Sequence, residues 1–85
     1  MNVQPKEIHS IWDNGGATQD RYTVALKNNS GSCYHDCLCL DDTPTHPLGF
    51  SQFSTCQAGK HLGKRIRWTQ LPDDLQTHII GRLAT

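Results

Sequence analysis

The spacing of apolar residues along the chain divides it into short strand-like runs and one helical run. Ile8, Ser10 and Trp12 alternate with His9, Ile11 and Asp13, which predicts a strand with apolar character on both faces. Asn14-Gly15-Gly16 breaks it, because two glycines after an Asn admit positive φ at little cost. Tyr22, Val24 and Leu26 then alternate with Arg21, Thr23 and Ala25, a period of two in β-favouring residue types. A turn over Asn28, Asn29, Ser30, Gly31 and Ser32 leads into a third run, so these two strands are expected to form an antiparallel hairpin. In the third run, Cys33, His35, Cys37 and Cys39 share one face, and Tyr34, Asp36, Leu38 and Leu40 share the other.

Residues 41–47 contain Pro44 and Pro47, which remove ladder donors and restrict the residues before them, so this stretch is expected to be a loop. Phe50 and Phe53 lie in a segment too irregular to assign and are expected to plug one end of the core. A further strand is predicted where Lys64, Ile66 and Trp68 alternate with Arg65 and Arg67, with Ile66 and Trp68 turned inward. From Pro72 the period changes to helical. Leu75, Ile79, Ile80 and Leu83 form one stripe, Asp73 and Asp74 occupy the first turn and Arg82 the last, as the helix dipole favours. The expected fold is α+β, a small antiparallel sheet of three to four strands with one C-terminal helix packed on it.

Length turns this reading into one domain, residues 1–85, with no room for a cofactor cleft between two lobes. Eight basic residues balance eight acidic ones, so no global field attracts a polyanion or an anionic membrane. No apolar run approaches the roughly 20 residues of a membrane span, and residues 1–12 lack the apolar core of a secretory signal. The expectation is a cytoplasmic protein with reduced cysteines and no membrane partner. A chain this small buries only about 60–65% of its unfolded surface, which makes self-association or a bound ion a natural source of added stability.

Three stretches could carry chemistry. Cys33, Cys37, Cys39 and Cys56, with His35, His46 and His61, supply enough soft ligands for a tetrahedral zinc, but a zinc knuckle brings its paired ligands from one tight turn, whereas these cysteines are spread along a strand and Cys56 has no paired neighbour. Buried thiols packing a sheet face are the simpler expectation, with no metal and no cofactor. No local motif orients a thiol for nucleophilic catalysis either. The basic run with Lys60, Lys64, Arg65 and Arg67 ends at Trp68 and could follow a phosphate backbone with the indole stacked on a base; the alternative is the solvated face of a half-buried strand. Residues 13–20 place Asp13 and Asp20 on either side of a glycine pair, in neither a calcium-loop nor a phosphate-loop pattern. If a ligand surface exists, Asp13, Asp20 and Arg21 are its expected polar contacts, and Trp12 and Tyr22 its walls.

The combination of Ile11-Trp12-Asp13-Asn14-Gly15-Gly16, Asp20-Arg21-Tyr22-Thr23-Val24, Gly49-Phe50-Ser51-Gln52, Gly63-Lys64 and Leu71-Pro72-Asp73-Asp74-Leu75 resembles short proteins encoded by phages, integron gene cassettes and other mobile elements. The resemblance runs over residues 8–83, and the segment from Cys33 to Cys39 stands outside it. It implies a small accessory protein of the bacterial cytoplasm and assigns no role to any residue. The leading expectation is a non-enzymatic binding or interaction module that pairs with itself, as a homodimer or higher homo-oligomer, through a sheet edge or an exposed aromatic patch around Trp12, Tyr22 and Trp68. The alternatives are a nucleic-acid-binding accessory protein using residues 60–68 and a zinc-stabilised domain.

Overall fold

The computed structural model describes residues 2–28, 31 and 33–84. Five strands and one helix follow in the order β1 (Ile8–Asp13), β2 (Tyr22–Leu26), β3 (Tyr34–Leu40), β4 (Ser51–Gln57), β5 (Lys64–Ile66) and α1 (Asp73–Leu83). The sheet order is β4-β3-β2-β1-β5, and each neighbouring pair is antiparallel. The α+β class holds, with one strand more than the three to four expected. The expected turn after Asn28 falls largely on Asn29, Ser30 and Ser32, which lie outside the described residues.

Pairing register sorts the side chains onto two faces. Ile66, Ile11, Val24, Leu38 and Phe53 align across the sheet, and the row beside them contains Asp13, Tyr22, Leu40 and Ser51. α1 packs on this face: Leu75 and Ile79 join Ile8, Ile11, Tyr22, Val24, Leu38 and Leu40 in one buried cluster. Further along the helix, His78 Nε2 lies 2.8 Å from Ser51 Oγ, and the Arg82 guanidinium sits 4.9 Å from the centre of the Phe53 ring. The opposite face carries Arg65, Trp12, Thr23, Cys39 and Gln52 in one row and Ser10, Ala25, Cys37 and Ser54 in the next. A bulge between Ile8 and Ser10 leaves His9 as the extra residue.

Residues 58–63 connect β4 to β5, which are opposite edges of the sheet. Four inter-strand gaps of about 4.8 Å already span roughly 19 Å, and the ends to be joined lie at opposite ends of their strands as well. Seven fully extended steps cover at most about 25 Å, and this connection includes a 3₁₀ turn over Lys60–Leu62. The sheet must therefore be strongly twisted, drawing that pair of corners together. Gly63, at φ 111°, closes the crossing: a Cβ there would stand 2.3 Å from the Asp13 carbonyl oxygen.

Two local readings are corrected. The stretch around Phe50 and Phe53 does not plug the core; Ser51–Gln57 is a full edge strand, and Phe53 remains 43% exposed. Its SQFSTCQ sequence has one apolar residue facing α1, so its strand state comes from pairing with β3 rather than from periodicity. Trp68 does not continue β5, which ends at Ile66; it begins a 3₁₀ turn over Trp68–Gln70 and is buried under the helix. Gln76, also buried, joins these elements by donating its Nε2 to the Trp68 and Leu71 carbonyls at 3.0 and 3.1 Å.

Candidate interaction site

The first predicted surface is a self-satisfied turn. Asp13 accepts from Arg21 through both oxygens, at 2.9 and 3.2 Å, and also accepts from the Gly15 amide. Asn14 Oδ1 accepts from the Gly16 and Ala17 amides, while Asp20 accepts from the Thr18 hydroxyl. The Arg21 hydrogen bond holds the Asp13 carboxyl below its ordinary range against the opposing effect of burial. Arg21 also lies over the Tyr22 ring and 3.8 Å from Asp42. These groups lock the β1–β2 turn. Trp12 and Tyr22 are not walls of a common surface: Trp12 pairs with Thr23 and Asp13 with Tyr22, so the indole and the phenol point to opposite faces, and both are buried.

The basic run is also divided. Strand alternation sends Lys64 to the helix face and Arg65 to the other, with Lys60 on the separate 3₁₀ turn. Trp68, expected to be available for base stacking, is 5% exposed and donates its indole N–H to the Asn2 carbonyl at 2.8 Å. Arg65 and Arg67 both line a groove of about 580 Å³ together with Ile8, Ile11, Ile66 and Trp68.

The four cysteines do not assemble as the zinc alternative required. Cys33 is exposed and accepts from Gln57 Nε2, and four residues along a strand place it about 13 Å from Cys37. Among the described residues no group of three or more His, Cys, Asp or Glu side chains is placed to hold a metal ion. Cys37 and Cys39 do touch, with sulfurs 3.6 Å apart on the helix-free face.

The feature that periodicity missed is the outer edge of β4. The Asp41 amide donates to the Phe50 carbonyl at 2.9 Å and continues the β3–β4 register, so Phe50 belongs to the set of residues bonded inward to β3. Antiparallel ladders alternate, which assigns Gln52, Ser54 and Cys56 to the inward set as well. Ser51, Phe53, Thr55 and Gln57 therefore turn their backbone N–H and C=O groups outward. β4 has no charge, proline or glycine, and residues 52–55 are all exposed. Tyr34, 59% exposed, adds a second aromatic at the neighbouring end of β3. A seven-residue uncharged run with one phenylalanine was the available signal in the sequence.

Comparison with protein-family models, curated proteins and solved structures finds no match to this chain. No helix among the described residues is long and apolar enough to cross a membrane.

Proposed function

We propose that this protein is a non-enzymatic interaction module that self-associates by antiparallel pairing of β4 with β4 of a second copy. The observation that carries the reading is the edge itself: a seven-residue strand in which the backbone groups of Ser51, Phe53, Thr55 and Gln57 turn outward, with none of the devices that protect a monomer's edge strand, such as a lysine, a proline, a bulge or a very short length. Pairing must match outward residues with outward residues. A two-fold axis at Ser54 does so over the whole strand, setting Phe53 opposite Thr55 of the second copy and Ser51 opposite Gln57. Because β4 is uncharged, no like charges meet in this register. Each Phe53 ring then covers a Thr55 methyl beside Arg82, and two five-stranded sheets become one continuous sheet.

The test is amide hydrogen exchange as a function of protein concentration. Exchange at Phe53 and Thr55 should slow as concentration rises, while Ser54 and Cys56, bonded to β3, stay protected throughout. Exchange at Phe53 and Thr55 that is fast and independent of concentration would remove the reading.

A further inference from the structure

Three thiols meet on the sheet face that α1 leaves uncovered. Cys37 and Cys39 project from the same side of β3 with their sulfurs 3.6 Å apart. Cys56 faces the same side from β4, diagonal to Cys37, whose direct partner is Ser54. Thr23 lies directly opposite Cys39 on β2. Burial grades the set: Cys37 is fully enclosed, Cys39 and Cys56 are half-buried, and Cys33 stands apart in solvent. Simple thiol packing does not require two sulfurs to meet with one enclosed and the other open to solvent.

We propose that Cys39 is a modification site for hydroperoxides, with Cys37 as its resolving thiol. In the first step the Cys39 thiolate sulfur attacks one peroxide oxygen. An S–O bond forms and the O–O bond breaks; Cys39 is oxidised by two electrons to the sulfenic acid, and the peroxide is reduced to water or an alcohol after its leaving oxygen takes a proton from solvent. In the second step the Cys37 sulfur attacks the Cys39 sulfur. The S–S bond forms, the S–O bond breaks, and the departing hydroxide leaves as water with the Cys37 proton.

The arrangement supports each role. The contact with Cys37 outweighs burial and brings the Cys39 thiol down to about 7, whereas the same contact, with burial, pushes the enclosed Cys37 thiol up. A lowered thiol holds more thiolate at neutral pH than an ordinary cysteine, and the thiolate is the nucleophile. Residues i and i+2 of a strand place their Cα atoms about 6.6 Å apart, at the long end of the range a disulfide spans.

The experiment treats the reduced, full-length chain with equimolar hydrogen peroxide at neutral pH and maps products by mass spectrometry; limiting iodoacetamide on the same protein ranks the thiols without any substitution. The expected results are first alkylation at Cys39, loss of the mass of two hydrogens from the peptide spanning β3, and a rate at least about tenfold lower in Cys39→Ser. Cys37→Ser should stop at a sulfenic acid on Cys39 that a cyclic diketone traps, and Cys33→Ser should behave as wild type. Alkylation first at the exposed Cys33, or wild-type oxidation in Cys39→Ser, would overturn the assignment. The site does not depend on β4 pairing, so a monomeric Thr55→Pro variant should give the same products.

Discussion

At one edge of the sheet β5 is three residues long and carries Lys64 and Arg65; at the other β4 runs for seven residues without a charge. Both are outer strands of one sheet in one small domain. β5 covers only Ile11, Trp12 and Asp13 of β1, and its start is fixed by Gly63 packed on the Asp13 carbonyl. Shortness, charge and a packed entry make it a poor template for another strand. β4 has none of these, and its register with β3 runs without a bulge over its whole length. The difference teaches that an exposed edge is not equivalent to an available one. What decides availability is the length of unpaired backbone and the charge it would bring against a copy of itself.

The alternation along β4 gives the sharpest way to break this comparison. Ser54→Pro removes an amide bonded to β3 and should cost about 2 kcal/mol, lowering the melting temperature by roughly 10 °C. Thr55→Pro, one residue later, removes an outward amide. It should leave the stability of the monomer within about 0.5 kcal/mol of wild type while weakening association at least about tenfold. Transferring the protection of β5 to β4 is a gentler version: Thr55→Lys places two lysines beside the Phe53 rings at the two-fold pairing and should weaken association without altering the fold, as read by sedimentation. Removing the protection from β5 should do little, because three residues cannot template a stable pair; Lys64→Ser with Arg65→Ser should leave the oligomeric state unchanged.

The smallest effect is that of pH on the contact between β4 and the helix. Burial first, and then Arg82, push the His78 imidazole below its ordinary value of 6.5. The unfolded chain binds this proton more readily, so the contribution is complete above pH 6.5 and is lost as pH falls through the lower folded value. Thermal melts should show stability falling below neutrality, and His78→Gln should reduce that slope. His9 shifts in the same direction, by burial and then by the charge of His35, whose ring lies 4.5 Å away, and so adds to the slope.

Where side-chain period alone dictated structure, the sequence was readable. β2 alternates over a strand buried on both faces, and the Leu75, Ile79, Ile80 and Leu83 stripe fixes α1 and the face it covers. Alternation also placed Cys37 and Cys39 on one face. Long-range pairing hid the rest. β4 becomes a strand because β3 offers it a ladder, and nothing in SQFSTCQ announces which of its backbone groups stay free. Cys56 joins the other thiols only through that pairing. Trp12 and Tyr22 looked like neighbours across the glycine turn, but the hairpin register sets Trp12 against Thr23 and sends the two aromatics to opposite faces. Trp68 fitted the alternation of the basic run, yet the chain leaves the sheet after Ile66 and Trp68 bonds to the Asn2 carbonyl, a contact with no local signature.

Sedimentation velocity of wild type and Thr55→Pro, side by side over a range of micromolar concentrations, tests the central claim most directly. The expected result is a wild-type dimer that dissociates on dilution and a Thr55→Pro monomer whose melting temperature matches that of the diluted, monomeric wild type. Two monomers, or two dimers that the proline does not disturb, would contradict it.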